Sequence, residues 1–158
     1  MPHLLWVIPL IQTFYHKMNH IAKFNASGVI KLYRITNNSK QLILTRNNEV
    51  IANAASIVTQ IVSGNTAAVL KKIIAYDGLT VMASTSFSDV DIETSPDKVI
   101  FSALFSEASY NGHIDTLKLG PEDTDTLGFF AEATGLDIDK ASNQLLAVEW
   151  AITFELPS

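Results

Sequence analysis

Apolar and polar residues alternate with a period of two in several short stretches of the chain, a pattern typical of β-strands that bury one face. The clearest stretch covers residues 144–156. Its inward-facing side chains are predicted to be Leu146, Val148, Trp150, Ile152 and Phe154. The same pattern predicts further strands at residues 28–35, 41–45, 72–76, 79–83 and 98–106.

One segment repeats with helical spacing instead. Apolar residues recur every three or four positions from Val50 to Val62, which places them on one face of a helix. Asn47 or Asn48 is a suitable N-cap, and Gly64 stands where a left-handed stop residue is expected. We therefore predict one amphipathic helix over about residues 48–63.

Asparagine, aspartate and glycine mark the turns between these elements. Asn37-Asn38 predicts a hairpin, because asparagine tolerates positive φ. Asp77-Gly78 predicts a turn after the strand that precedes it. Asn111-Gly112 predicts another hairpin, in which residues 113–119 run back against residues 98–106.

These elements together indicate a mainly β fold of the α+β class, an antiparallel β-sandwich-like sheet with one packed helix. The length of 158 residues fits a single domain. We assign residues 28–158 to one β-rich domain and residues 1–27 to an N-terminal arm. Residues 126–133 fit either a strand or a helical turn.

The N-terminal arm contains the most apolar run of the chain, at residues 4–11. This run is shorter than the roughly 20 residues needed to cross a bilayer, and it lacks the flanking features of a secretory signal, so we expect no membrane contact. An apolar arm must be covered, either as an edge strand of its own sheet or by docking on a neighbouring chain. We predict docking on a neighbour, through seven partner-binding residues: Leu4, Leu5, Trp6, Val7, Ile8, Phe14 and Tyr15.

Charge is distributed unevenly along the chain. Residues 1–48 carry six basic and no acidic residues, whereas residues 49–158 carry five basic and all 16 acidic ones. Either folding interleaves the two sets, or the subunit has a basic end and an acidic body suited to head-to-tail contact. Six scattered basic residues do not form a nucleic-acid footprint, so we expect no DNA or RNA partner.

No pattern in the chain indicates catalysis, a metal site or a cofactor. Cysteine is absent, which excludes disulfides, thiolate zinc sites and cysteine nucleophiles. His16 and His20 have ligand-like spacing, but no carboxylate accompanies them and we interpret them as polar residues of the arm. The alternating acids Asp89, Asp91 and Glu93 are interpreted as a solvated face, with a loosely bound cation between subunits as the alternative.

The order of several motifs resembles that of a known class of proteins. The helix beginning after Arg46-Asn47-Asn48 is followed by a Phe101-x-Ala103-x-Phe105 strand, by Asn111-Gly112-x-Ile114, and by a final Trp150-x-Ile152-x-Phe154 strand. In this order they resemble small structural virion proteins and fibre or baseplate segments of tailed bacteriophages. The resemblance covers roughly residues 28–156 and leaves the arm unexplained.

The resemblance implies a structural, non-catalytic subunit of a virion. We expect a tail, fibre, baseplate or neck adaptor that assembles through its arm with copies of itself, as a symmetric homo-oligomer, and with other virion structural proteins. A capsid decoration (cement) protein is the alternative placement. Alternatives of another class are a small β-sandwich carbohydrate-binding module that uses the Asp89, Asp91 and Glu93 face, and a secreted or membrane-anchored protein with a processed N-terminus.

Overall fold

The computed structural model of the chain describes residues 25–86, 92–106 and 111–155. Strands dominate these residues. In chain order the elements are β1 (Asn25–Thr36), β2 (Ser39–Val50), α1 (Ala54–Val62), the 3₁₀ turn η1 (Thr66–Ala68), β3 (Leu70–Asp77), β4 (Thr80–Ser86), β5 (Ile92–Ser95), β6 (Lys98–Phe105), β7 (Gly112–Ile114), β8 (Thr116–Pro121), α2 (Thr124–Leu127), β9 (Ala131–Ala133), β10 (Ile138–Lys140) and β11 (Leu145–Glu155).

Nine of these strands form one antiparallel sheet in the order β4-β3-β8-β9-β2-β1-β11-β6-β5, and β7 pairs with β10 separately. The sheet has a four-stranded half (β4, β3, β8, β9) and a five-stranded half (β2, β1, β11, β6, β5). Both halves contribute side chains to a single hydrophobic core, so the sheet curls until its two inner faces meet. The mainly β, sandwich-like fold class predicted from the sequence is confirmed.

The two halves are joined at a narrow corner. There β2 pairs with β9 through Glu49 opposite Glu132 and Val50 opposite Ala131. On the far side of the sheet β4 comes close to β6, where the Thr85 Oγ1 hydroxyl donates to the Leu104 carbonyl oxygen over 3.2 Å. The core is therefore enclosed by continuous pairing on one side and by a looser contact on the other.

Strand β11 lies inside the five-stranded half, between β1 and β6. Trp150 is opposite Ile30 on one neighbour and Phe101 on the other. All three side chains are buried, and Trp150 is fully inaccessible to solvent. The inward set predicted for this strand is confirmed at Leu146, Val148, Trp150 and Ile152, and Phe154 is partly buried against the same core.

The predicted helix exists, but its predicted start was wrong. Residues 48–50 belong to β2, where Asn48 pairs with Gly28 and Glu49 with Glu132. The helix begins at Ala54 with Asn53 as its N-cap, because backbone groups before that point are held by neighbouring strands. Its end agrees with the prediction, since Gly64 follows with φ at 91°.

Side-chain bonds from Asn53 attach the start of α1 to the segment between α2 and β9. The Asn53 Nδ2 donates to the Leu127 carbonyl oxygen at 2.6 Å and to the Phe129 carbonyl oxygen at 3.2 Å. Gly128 permits this approach, because its φ is 75° and a Cβ would lie 2.6 Å from the same nitrogen. The 126–133 region thus contains both a helical turn and a short strand.

Two predicted turns are confirmed and one predicted pairing is wrong. Asn37 and Asn38 both have positive φ between β1 and β2, and Gly78 has positive φ after β3. Residues 113–119, however, do not return against β6. They divide into β7, which pairs with β10, and β8, which lies between β3 and β9, while β6 pairs with β11 and β5. Asn25 is opposite Glu155, so residues 25–27, which we assigned to the arm, belong to β1.

Helix α1 offers a matched pair of positions for testing the core. Ile57 is fully buried, whereas Val62 on the same helix is 82% exposed. We expect Ile57→Ala to lower the free energy of unfolding by about 2–5 kcal/mol, because it leaves a cavity in the shared core. Val62→Ala should change it by no more than about 0.5 kcal/mol. Urea unfolding curves of the two variants measure the difference, and equal losses would contradict the assigned orientation of α1.

Candidate interaction surface

An apolar groove opens at the end of the fold where β11 finishes. Its volume is about 240 Å³, and every described residue that lines it is apolar. Ten described residues line this apolar groove, and the six used below are Val58, Ile61, Val69, Val99, Ile152 and Phe154. Helix α1 and the chain at the start of β3 supply one wall, and the start of β6 and the end of β11 supply the other.

Local sequence features explain how the walls form. Ala54 and Ile57 face the core from α1, so the next turn of the same face carries Val58 and Ile61 out to the edge of the core. On β11 the period-two pattern that buries Trp150 continues to Ile152 and Phe154. The groove is therefore the continuation of the core surface beyond the point where the sheet closes over it.

The dimensions of the groove suit side chains better than a separate small molecule. Pockets for drug-sized ligands are roughly 300–1,000 Å³ and carry a few polar groups that orient the ligand. An apolar cavity of about 150 Å³ holds a benzene molecule, which is the size of a phenylalanine ring. At about 240 Å³ and without a polar group among its described lining residues, the groove fits one or two apolar side chains.

Some groove side chains are exposed at its edge, and together with Val62 they form an apolar rim. Ile61 is 38% exposed, Val69 is 37% exposed, and Val62 at the end of α1 is 82% exposed. Single exposed apolar residues are ordinary on protein surfaces, but a group beside an apolar groove is typical of a contact site for another polypeptide. The groove and this rim form the candidate interaction surface.

Polar side chains also form clusters elsewhere on the described surface. In the first, Lys118 forms an ion pair with Glu132 at 3.6 Å, and its Nζ lies 5.1 Å from the ring centre of Tyr76 and 5.2 Å from that of Phe129. Burial, with a smaller contribution from the Asp125 charge, raises the pKa of Tyr76. These groups contact one another on the outer surface of β3, β8 and β9, where they stabilise that face of the sheet.

The second cluster is formed by β7 and β10. His113 Nδ1 lies 3.1 Å from Asp139 Oδ1 and 4.0 Å from Asp137 Oδ1. The hydrogen bond to Asp139 raises the pKa of His113, and the nearby carboxylate charges add to it. Beside them Lys140 is buried, and its Nζ donates to Asn111 Oδ1 at 3.0 Å. Sequence reasoning did not single out this cluster, because its two strands pair across 26 residues of chain.

The structure brings basic and acidic halves of the sequence together. Lys40 of β2 forms an ion pair with Glu149 of β11 at 3.2 Å, and the Tyr33 hydroxyl donates to the same carboxylate at 2.9 Å. The Arg46 guanidinium donates to the carbonyl oxygens of Thr134 and Gly135. Of the two interpretations of the charge asymmetry, the described residues favour interleaving by folding.

The predicted site residues are not tested by this geometry. The seven partner-binding residues, Leu4, Leu5, Trp6, Val7, Ile8, Phe14 and Tyr15, lie outside the described residues, as do His16, His20, Asp89 and Asp91. Glu93 is described and is exposed on β5. Within the described ranges no three histidine or acidic residues are arranged to hold a metal ion.

The longest helix in the described part of the chain has nine residues, and no helix there could cross a membrane. Comparison of the chain with protein-family models, with curated proteins and with solved structures finds no match.

The His113 cluster supports a prediction on pH. Asp139→Asn should lower the pKa of His113 towards the ordinary value of about 6.5, because it removes the carboxylate that accepts the hydrogen bond. Asp137→Asn, at the longer distance of 4.0 Å, should lower it less. NMR titration of the histidine ring protons measures both, with His113→Gln to assign the signal. Equal shifts in the two variants would contradict the assigned hydrogen bond.

The raised pKa of His113 also makes the folding stability depend on pH. The pKa of His113 is raised in the folded protein, so its contribution to stability is fully present below the unfolded pKa of about 6.5 and is lost as pH rises through the folded pKa. The wild-type protein should therefore lose this small contribution as the pH rises above the unfolded pKa of about 6.5 and through the raised folded pKa. The Asp139→Asn variant should keep only the smaller part that comes from the charges of Asp77 and Asp137.

Proposed function

We propose that this chain is a non-catalytic structural subunit of a tailed-bacteriophage virion, a tail, fibre, baseplate or neck adaptor. It assembles with copies of itself and with other virion proteins, and its N-terminal arm makes the contact. The single observation that carries the assembly role is the apolar groove with its exposed apolar rim. The placement in a virion rests on the ordered motifs of the sequence.

The chemistry of the groove supports a binding role. None of its described lining side chains can donate or accept a proton or attack a bond, since all are aliphatic or phenylalanine side chains. Burial of their apolar surface stabilises a contact by roughly 25 cal/mol for each Å² removed from water. Such a surface binds an apolar segment of another polypeptide.

Repetition by symmetry would convert a small contact into a stable assembly. A groove of about 240 Å³ buries only part of a short segment, so one contact alone would be weak. In a ring or lattice each copy both gives and receives a contact, and simultaneous contacts raise the overall stability far above that of one. This is the arrangement expected for a particle subunit.

The arm is the testable part of this proposal. Deletion of residues 1–17 should leave a folded monomer, because the described sheet begins at Asn25 and the described core is built from residues that the deletion leaves in place. The full-length chain should form a larger, defined oligomer. Sedimentation velocity gives the oligomeric state of each, and thermal unfolding checks that the deletion variant is folded. A deletion variant that assembled like the full-length chain would remove the arm from the proposal.

The placement has its own test. Antibody against the full-length chain, applied to particles from the organism that encodes it, should label the tail or the neck in electron micrographs. Label distributed over a shell would instead favour a capsid decoration protein. An absence of label from every particle would overturn the virion assignment while leaving the oligomeric state measured above unaffected.

A further inference from the structure

The chain enters the described fold at the edge of the apolar groove. Asn25 is opposite Glu155 and Ala26 is opposite Phe154, so the first residues of β1 lie beside the last residues of β11. Phe154 and Ile152 belong to the wall of the groove. Adjacent strands are about 4.8 Å apart, so Asn25, where the described fold begins, lies next to the groove.

The distance between the apolar run and this point is long. Residues 12–24 separate the run at residues 4–11 from Asn25. Thirteen extended residues reach roughly 43–47 Å, at about 3.3–3.6 Å each. The radius of gyration of a domain of this size is about 14 Å, so this spacer exceeds the width of the domain. The spacer is several times longer than the chain needs to reach the groove of its own copy. It is long enough to reach the groove of a neighbouring copy.

We propose that the apolar groove of each copy receives residues 4–11 of a neighbouring copy. This inference rests on the proposed assembly role and names the acceptor for the arm. The run Leu4-Leu5-Trp6-Val7-Ile8 supplies apolar side chains, of which the groove of about 240 Å³ accommodates one large or two smaller ones. The remaining apolar atoms of the segment contact the rim at Ile61, Val62 and Val69.

The proposal explains two features with one contact. The groove and the exposed apolar rim lose water when the segment binds, and the most apolar run of the sequence is covered at the same time. Each copy has one arm and one groove, so contacts are heterologous. They close into a ring where the rotation between copies permits closure.

The absence of cysteine from the chain allows a direct test by disulfide formation. Two single-cysteine variants of the full-length chain are prepared, Val7→Cys in the arm and Val58→Cys in the groove wall, then mixed and oxidised. A disulfide between them can join only two different copies. We expect this disulfide as the main product, identified by mass spectrometry of the linked peptides. In the matched control, Leu79→Cys takes the place of Val58→Cys. Leu79 is fully exposed just beyond the other end of β3, so this variant should not cross-link with Val7→Cys.

A second pair of variants tests the same contact without a cross-link. Ile61 lines the groove, whereas Ala55 is an exposed residue of α1 that belongs neither to the groove nor to its rim. Ile61→Glu should raise the concentration needed for half-maximal assembly by about tenfold or more, because a carboxylate would be buried without a partner. Ala55→Glu should leave that concentration within about twofold, since its charge remains in water. Circular dichroism checks that both variants fold.

The outcomes separate this inference from the proposed function. Two results together would overturn the groove as the acceptor of the arm: no disulfide between Val7→Cys and Val58→Cys, and normal assembly of Ile61→Glu. If assembly still depended on the arm, the assembly role would remain. A double variant carrying both cysteines that forms the disulfide within a monomer would show that the groove binds its own arm, and would overturn the neighbour as donor. A full-length chain that stays monomeric at all concentrations would overturn both proposals.

Discussion

The structure depends on the register of β11 between β1 and β6. Trp150 is held between Ile30 and Phe101. On the same face of the strand, Val148 lies opposite Leu32 and Ala103, and Ile152 lies opposite Gly28 and Val99. Because alternate residues face opposite sides, a slip of one residue would move the whole inward set to solvent. The Trp150 indole N–H has no hydrogen-bond partner among the described residues, at a cost of about 1–3 kcal/mol. Burial of the large ring in its fixed place offsets that cost.

The groove follows from the same register. The inward face of β11 does not stop at the core, and Ile152 and Phe154 extend it towards the end of the strand where β1 and β6 begin. Helix α1 covers the core through Ala54 and Ile57 but turns Val58 and Ile61 to the edge. The alternation that fixes the sheet thus also creates an apolar surface at one end of it, without any additional element devoted to binding.

Local signals predicted the elements that depend on local chemistry. The Asn37-Asn38 turn, the helix stop at Gly64 and the alternation in β11 each rest on a property of neighbouring residues. Prediction failed where distant partners decide. Residues 48–50 became strand because β1 and β9 hold them, and β8 pairs with β3 and β9 although a turn signal placed it beside β6. The groove could not be predicted either, because its walls come from segments nearly 100 residues apart that show only ordinary core patterns.

Electrostatic contacts within the fold bear on what can join its copies. The basic residues of β1 and β2 are not presented as one surface, since Lys40 pairs with Glu149 and Arg34 donates to the Asp139 carbonyl oxygen. Exposed pairs of this kind contribute little to stability, about 0–1 kcal/mol, but they do neutralise charge locally. A basic residue that is paired within its own copy, as Lys40 is, contributes less to a head-to-tail attraction between a basic end and an acidic body. Apolar burial at the groove beside β11 is therefore the basis that we propose for association of the copies.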